Sequence, residues 1–260
     1  MERILIVEDN KTLAKLISKK IEASLKFTVD VAYNLSEAKL FLHKYDYFIS
    51  LLDINLPDAP NGEVVDYTLS KGQRVIVLSG NIDKQFRENI LKKNILDYVN
   101  KSGVDDIHYI IQTIERLKKN QQHTILVVDD SLVIRKQLKM TLENMFFNVI
   151  AVAHGEEALT MLDTNNDITL VLTDYNMPVM NGLELVQEIR KRFNKQVLSI
   201  IALSGDSDNE VISLFLKKGA NDYIKKPFSK EEFSCRINNT VEALENTKLI
   251  SDYKIDFGDL

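Results

Sequence analysis

Two kinds of apolar pattern alternate along the chain. Short runs rich in Val, Ile and Leu occur at 124–129, 147–153, 168–173, 197–203 and 222–225. Runs that are apolar at nearly every position are typical of parallel strands buried on both faces of a sheet. The segments between such runs have apolar residues at helical spacing, as at 13–25 and 107–117. The pattern therefore predicts strands and helices in regular alternation.

The whole pattern occurs twice. Residues 3–10 read RILIVEDN and residues 124–131 read TILVVDDS, while residues 75–80 read VIVLSG and residues 200–205 read IIALSG. In each half, 44 residues separate an acidic pair from a later aspartate, and 22 residues separate a serine from a lysine. Only the interval from aspartate to serine differs, with 26 residues in the first half and 30 in the second. A repeat of this length indicates a duplicated domain rather than a solenoid.

Five strands and five helices in each copy predict two doubly wound α/β domains in tandem. Each should contain a five-stranded parallel sheet of the flavodoxin-like type, with right-handed crossovers and the strand order 2-1-3-4-5. The predicted domains span residues 1–120 and 121–245, and residues 246–260 form a C-terminal tail or linker. Ser229 followed by Glu232 predicts a capping box at the start of the last domain helix.

Composition excludes several classes of protein. Residues 1–120 have 18 basic and 17 acidic side chains, so +1, and residues 121–260 have 15 and 21, so −6. Neither half has the basic excess of a nucleic-acid binder. No apolar run reaches the roughly 18–20 residues of a membrane helix, and the start of the sequence has no signal-peptide pattern. A single cysteine, Cys235, excludes an internal disulfide, and the four histidines lack metal-ligand spacing, so we expect a cytoplasmic protein without membrane or nucleic-acid partners.

Acidic, hydroxyl and basic side chains follow the predicted strands. In an open parallel sheet, ligands bind beyond the carboxyl ends of the strands, at the switch point between strands one and three. Three carboxylates there need a cation between them, and an all-oxygen site suits Mg²⁺. A lysine and a serine can hold an anionic oxygen, which leaves one carboxylate as a nucleophile toward a phosphoryl group. These residues are Glu8, Asp9, Asp53, Ser79 and Lys101 in the first copy, and Asp129, Asp130, Asp174, Ser204 and Lys226 in the second.

These motifs resemble the receiver domain of the two-component response-regulator family over nearly all of residues 1–120 and 123–245. The resemblance implies that Asp174 accepts a phosphoryl group in the second copy and Asp53 in the first. It implies that the serine and the lysine of each copy contact that group, Ser204 with Lys226 and Ser79 with Lys101. The implied Mg²⁺ ligands are Asp129, Asp130, Asp174 and the Asn176 carbonyl in the second copy, and Glu8, Asp9, Asp53 and the Asn55 carbonyl in the first. Tyr98 and Tyr223 match the family's aromatic switch position.

The first copy departs from the family pattern. Lys101 is followed by Ser102, whereas Lys226 is followed by Pro227, and the Lys-Pro bond of this family is commonly cis. Nine residues separate the first acceptor from the next glycine, against eight in the second copy, and the helix that follows should be short. No catalytic group is missing, but we expect the second copy to be the better-formed phosphorylation site. A first copy that serves as a structural adaptor stays open as an alternative.

The resemblance implies a response regulator that receives its phosphoryl group from a histidine kinase, a phosphotransfer protein or a small phosphodonor. Such a protein switches an interaction surface, can form a homodimer, and catalyses only its own phosphorylation and dephosphorylation. A flavodoxin-like carrier is disfavoured because acidic residues after strand one would repel a flavin phosphate. An aspartyl-phosphate hydrolase would need a DxD-type nucleophile motif and a cap.

The C-terminal segment leaves another alternative open. The helical start of residues 242–260 resembles the linker that joins tandem receivers to a diguanylate cyclase domain. The chain could therefore be a receiver scaffold or adaptor for dimerisation, as the regulatory fragment of such a cyclase, or equally a stand-alone double receiver that acts by protein contact. No helix-turn-helix or cyclase motif occurs in the 260 residues.

Overall fold

The chain forms two compact units. The computed structural model describes residues 2–80, 84–101, 104–205 and 209–257. The first unit comprises Met1–Arg116 and the second Leu117–Leu260, so the boundary falls a few residues before the predicted one.

The first unit alternates strands and helices from its start. The elements, in chain order, are β1 (Arg3–Val7), α1 (Lys11–Ser24), β2 (Thr28–Ala32), α2 (Leu35–Lys44), β3 (Ile49–Asp53), α3 (Glu63–Ser70), β4 (Val75–Ser79), α4 (Lys84–Leu91), β5 (Asp97–Asn100) and α5 (Val104–Asn120).

The second unit repeats this arrangement. Its elements are β6 (Thr124–Val128), α6 (Leu132–Asn144), β7 (Asn148–Val152), α7 (Gly155–Thr164), β8 (Ile168–Asp174), α8 (Gly182–Arg190), β9 (Ser199–Ser204), α9 (Asn209–Lys218), β10 (Asp222–Lys225) and α10 (Lys230–Phe257).

Each unit has one five-stranded sheet in which every pairing is parallel. The strand orders are β2-β1-β3-β4-β5 and, read from the opposite edge, β10-β9-β8-β6-β7. Both correspond to 2-1-3-4-5 within the unit, so the predicted fold class and strand order are confirmed. The switch point lies between β1 and β3 in the first unit and between β6 and β8 in the second.

The central strands are buried at every position because helices cover both faces of each sheet. All residues of β3, β4, β6, β8 and β9 are buried. The edge strands β2 and β7 are only half-buried along most of their length. The continuous Val, Ile and Leu runs of the sequence thus occupy the middle of each sheet.

The connections after α3 and α8 account for most of the difference between the repeats. Four residues, 71–74, join α3 to β4, whereas eight, 191–198, join α8 to β9. The helices themselves have eight and nine residues. The expected shortness of α3 is therefore slight.

The last helix is longer than the second domain requires. The backbone of α10 runs from Lys230 to Phe257, and the predicted boundary at residue 245 falls inside it. At its start the Glu232 amide donates to the Ser229 hydroxyl at 3.0 Å, which supplies the serine half of the predicted capping box. Among the described residues, no helix combines the length and the apolar character needed to cross a membrane.

Candidate phospho-acceptor sites

The strand ends place the predicted residues of the second unit together. Asp174 and Ser204 are the last residues of β8 and β9, while Asp129 and Lys226 directly follow β6 and β10. The Lys226 amide donates to the Ser204 carbonyl at 2.8 Å, which extends the sheet ladder by one residue. Because the strands are parallel, these four residues lie at one edge of the sheet, although 97 positions separate Asp129 from Lys226 in the sequence.

In the second unit a lysine bridges two carboxylates. Lys226 Nζ lies 2.6 Å from Asp174 Oδ1 and 3.0 Å from Asp129 Oδ2. Both carboxylates are buried, with Asp129 1% and Asp174 8% exposed. Burial lowers the pKa of Lys226, but its hydrogen bonds with Asp174 and Asp129 outweigh that effect, so the pKa lies above its usual value. The ammonium therefore stays charged and neutralises part of the acidic cluster.

The second oxygen of each carboxylate is held by a backbone amide. The Ser131 amide donates to Asp129 Oδ1 at 2.9 Å, and the Asn176 amide donates to Asp174 Oδ2 at 2.8 Å. Asp130 is exposed beside them, and Ser131 is the N-cap of α6. Each buried carboxylate is therefore held through both of its oxygens, one bonded to Lys226 and the other to a backbone amide.

The first unit builds the same arrangement with one longer side chain. Lys101 Nζ lies 2.6 Å from Asp53 Oδ2 and 2.8 Å from Glu8 Oε2. The Asn55 amide donates to Asp53 Oδ1 at 3.1 Å, and the Asn10 amide donates to Glu8 Oε1 at 3.2 Å. Glu8 and Asp53 are buried, and burial raises the pKa of Glu8. The pKa of Lys101 is raised as well, because its bonds to Asp53 and Glu8 outweigh the effect of burial.

The donor set fits a small hard cation. Glu8, Asp9 and Asp53 each offer a carboxylate oxygen, and these oxygens lie within 4.8 Å of one another. In the part of the chain that the structure describes, this is the one group of three candidate ligands that meets that distance. Asp129, Asp130 and Asp174 present the same chemistry in a wider arrangement. Both groups are all-oxygen and strongly acidic, which suits Mg²⁺.

The two serines are buried at the ends of their strands. Ser79 and Ser204 are both 0% exposed, and the Ser79 hydroxyl donates to the Gly80 carbonyl at 3.0 Å. After β10 the Lys226–Pro227 peptide bond is cis, as the resemblance implied. Ser102, the residue at the position of that proline in the first copy, lies outside the described residues.

The two switch-position tyrosines have different surroundings. Tyr223 is buried, and its hydroxyl lies 3.5 Å from the Ser204 carbonyl oxygen. Tyr98 is only half-buried, and the guanidinium of Arg87 in α4 lies 5.2 Å from its ring centroid. The residue at the position of Arg87 in the second copy is Ile212, which packs against the core cluster that contains Tyr223.

Sequence reasoning missed the close approach of a glycine to the second acceptor. A Cβ atom on Gly182 would lie 2.1 Å from the carbonyl oxygen of Asp174. Gly62 holds the corresponding place in the first copy, but there φ is +76° and the nearest atom is 3.5 Å away. The recurrence of a glycine eight or nine residues after each acceptor was the signal that could have indicated this contact.

Comparison with known proteins agrees with this geometry. Residues 4–115 and 125–238 both match the response regulator receiver domain family. The chain is similar to the chemotaxis protein CheY1 of Helicobacter pylori, with 39% identity over 108 residues, which cover 41% of this chain and 87% of that protein. A similar match, 39% over 108 residues, is found with the CheY homolog of Campylobacter jejuni, 83% of which is covered.

Solved structures extend the likeness to both domains at once. Two structures described as two-component system response regulator/GGDEF domain proteins cover 94% of this chain and 100% of their own. They are 37% and 36% identical to it, with TM-scores of 0.82 and 0.81. The fold and the duplicated site define a tandem of receiver domains. The chain belongs to the response regulator receiver family and carries the receiver domains of two-component signalling.

Proposed function

We propose that each receiver accepts a phosphoryl group on its strand-end aspartate, Asp174 in the second unit and Asp53 in the first. The observation that carries the proposal is the lysine nitrogen 2.6 Å from the acceptor carboxylate in both units. A buried carboxylate beside a fixed ammonium and further acidic ligands is suited to an electrophile that brings its own negative charge.

The proposed transfer needs only one bond to form and one to break. A carboxylate oxygen of the aspartate attacks phosphorus, and the bond from phosphorus to the donor nitrogen or oxygen breaks. The leaving group takes that electron pair and a proton from solvent. Lys226 or Lys101 offsets the charge on the phosphoryl oxygens, and the serine hydroxyl of the same unit donates to one of them. The acidic residues and the carbonyls of Asn176 and Asn55 would hold Mg²⁺, which would supply the remaining positive charge.

The phosphoryl donor that suits this site is a phosphohistidine of a kinase or phosphotransfer protein, or a small phosphodonor. The chain itself would catalyse only the gain and loss of its own phosphoryl group, and we place it in the cytoplasm. Phosphorylation would shift an equilibrium between two surface conformations, with Ser204 and Tyr223 responding in the second unit. The tyrosine hydroxyl lies 3.5 Å from the serine carbonyl, so a movement of Ser204 would act directly on Tyr223.

A second candidate function is a receiver scaffold within a larger protein. The similarity to response regulator/GGDEF domain proteins covers both receivers, so the tandem could be the regulatory part of a diguanylate cyclase. In that role the receivers would control dimerisation or the placement of a further domain rather than act alone.

The test is to count phosphoryl groups by intact-protein mass spectrometry after treatment with phosphoramidate and Mg²⁺. The full chain is compared with Asp53→Asn and Asp174→Asn. We expect label on both acceptors and most of it on Asp174. Undiminished label in Asp174→Asn would contradict the ranking. A wild-type chain without label, under conditions that label a control receiver, would refute the proposal and favour the scaffold.

A further inference from the structure

The connection between β3 and α3 in the first receiver is folded into a tight turn. The Leu56 amide donates to the Ala59 carbonyl at 3.3 Å, and the Ala59 amide donates back to Leu56 at 3.1 Å. Leu56 and Ala59 are both 1% exposed, so Pro57 and Asp58 form the tip of the turn. The Gly62 amide closes the connection by donating to the Ile54 carbonyl at 3.1 Å. The segment that follows the acceptor is thus a small folded unit of its own.

The tip of this turn is anchored to a different helix. Asp58 Oδ1 accepts the Leu35 amide at 2.8 Å, and Asp58 Oδ2 accepts the Ser36 amide at 3.0 Å and the Ser36 hydroxyl at 2.9 Å. These amides belong to the first turn of α2, where no earlier carbonyl can accept them. Asn34, the N-cap residue, accepts the next amide of α2, that of Glu37, at 2.8 Å. The start of α2 is therefore capped from two separate segments, and the cap at Asp58 also holds the acceptor connection.

The second receiver has no such anchor at the matching position. Leu-Pro-Asp at 56–58 corresponds to Met-Pro-Val at 177–179, and Val179 is 90% exposed with a φ of +70°. The N-cap of α7, His154, makes no side-chain capping hydrogen bond. The connection instead reaches α7 through Met180, whose Sδ would lie 2.6 Å from a Cβ on Gly155. The fold does not require a carboxylate here, so Asp58 serves something particular to the first receiver.

The anchored turn is continuous with the acceptor. Asn55 lies between Asp53 and the turn, and its amide donates to Asp53 Oδ1. We infer that Asp58 is a positioning residue of the first receiver: by holding the β3–α3 connection on the first turn of α2, it fixes the Asn55 amide and through it the orientation of the Asp53 carboxylate. The part of this inference that concerns phosphoryl transfer rests on the function proposed above.

The test compares Asp58→Val, which installs the residue of the second receiver, with Asn34→Ala in the full chain. Asn34→Ala also removes a cap of α2 but leaves the acceptor connection anchored, so it controls for loss of helix stability. Asp58→Asn keeps one carbonyl oxygen and should give an intermediate result. Hydrogen exchange is measured at the Asn55 and Glu37 amides, and the rate of Asp53 labelling by phosphoramidate with Mg²⁺ is measured in an Asp174→Asn background.

We expect Asp58→Val to speed exchange at Asn55 roughly three- to tenfold, the range given by loss of one capping interaction, and to slow labelling of Asp53 because its carboxylate is less well oriented. Asn34→Ala should speed exchange at Glu37 and leave Asn55 and the labelling rate unchanged. Labelling of Asp174 in an Asp53→Asn background should be the same in all variants. Equal slowing by Asn34→Ala, or unchanged exchange at Asn55 in Asp58→Val, would overturn the inference. If Asp53 of the wild type takes no label, phosphorylation of the first receiver is refuted, and exchange at Asn55 alone decides the role of Asp58.

Discussion

Gly182 is packed directly against the backbone of Asp174, the proposed acceptor of the second receiver. A Cβ at position 182 would lie 2.1 Å from the Asp174 carbonyl oxygen and 3.1 Å from the Tyr175 Cα. The Gly182 amide donates to the Tyr175 carbonyl at 2.9 Å. The first turn of α8 therefore approaches the acceptor strand as closely as a backbone without a side chain allows.

The variant Gly182→Ala should damage the second site, because the new methyl group must push Asp174 out of line with Lys226. Overpacking of this kind costs about 1–3 kcal/mol of unfolding free energy and should remove most label from Asp174. Gly62→Ala is the control, since its methyl group meets only ordinary van der Waals contacts and incurs the cost of a positive φ, about 1–2 kcal/mol. Thermal unfolding and intact-mass labelling measure both effects. Equal labelling of Asp174 in Gly182→Ala and wild type would contradict the steric argument.

Lys226→Met should destabilise the second unit by about 3–5 kcal/mol, because it leaves Asp129 and Asp174 buried without their shared cation. Since the pKa of Lys226 is raised, its contribution is complete below the ordinary lysine pKa and is lost only as the pH rises through the raised value. The stability difference from wild type should therefore be constant between about pH 6 and 9. Lys225→Met, at the exposed neighbouring lysine, is the control. Thermal unfolding measures the difference, and two variants of equal stability would show that the bridge is unimportant.

Arg190 ties together three segments of the second unit through neutral oxygen acceptors. It donates to the carbonyls of Phe193, Leu198 and Gly219 and to the Asn221 side chain, at 2.8–3.1 Å. Burial lowers its pKa to about 10, so it remains charged at neutral pH. Arg190→Met should cost about 2–4 kcal/mol in urea unfolding. Arg192→Met removes an exposed ion pair with Asp163 and should cost less than about 1 kcal/mol; equal losses would contradict the assignment.

The hydrogen bonds between Asp58 and the start of α2 should be lost only at acidic pH. Hydrogen bonds from the Leu35 amide, the largest cause, and from Ser36 lower the pKa of Asp58 below its ordinary 3.8. For a carboxyl group with a lowered pKa, the stabilisation is present above the unfolded pKa and is lost as the pH falls through the folded one. The Leu35 amide chemical shift should therefore be constant from about pH 7 to 4.5 and move below pH 3.8. A midpoint above that value would contradict the geometry, and Asp58→Asn should abolish the transition.

Arg87→Ile gives Tyr98 the neighbour that the second receiver provides for Tyr223. A cation over a partly exposed ring is worth about 0.5–1 kcal/mol, so the ratio of the present Tyr98 rotamer to its alternatives should fall about two- to fivefold. ¹⁹F NMR of fluorotyrosine-labelled protein, with Tyr98→Phe for assignment, measures the change. Arg87→Lys should keep most of the contact, and the Tyr223 resonance should not move. If the Tyr98 resonance is the same in Arg87→Ile as in the wild type, the ring is held by packing alone.

The fold was predictable because the apolar pattern that indicates it is local and occurs in both copies. Consecutive apolar residues mark strands buried on both faces, and the register of a parallel sheet then carries every strand-end side chain to one edge. Strand β9 begins at Ser199 rather than at Val197, because Asn194 caps a turn there and leaves Val197 half exposed. Apolarity alone does not distinguish the last residue of a turn from the first residue of a strand.

The site was predictable as a set of residues but not as a set of contacts. The positions of Asp174 and Lys226 follow from strand ends, so their proximity could be expected from the sequence alone. The contacts of Asp58 with α2 and of Arg190 with three carbonyls depend on where a loop tip and a helix end lie in space. Neither set of contacts leaves a periodic pattern in the sequence. Both include a contact between segments more than 20 residues apart, and the two shorter-range contacts of Arg190 close an irregular turn.

The length of α10 has a mechanical consequence. At 1.5 Å per residue, its 28 residues span about 42 Å, and its start lies four residues after Lys226. Phe233, Ile237, Val241 and Leu244 bury one face of its first half, whereas Leu249 and Ile250 project beyond them, more than half exposed. A tilt of about 10° at the root would displace the far end by about 7 Å. A helix of this length would therefore act as a lever: a small change of angle at its start, beside Lys226, would become a movement several times larger at its other end.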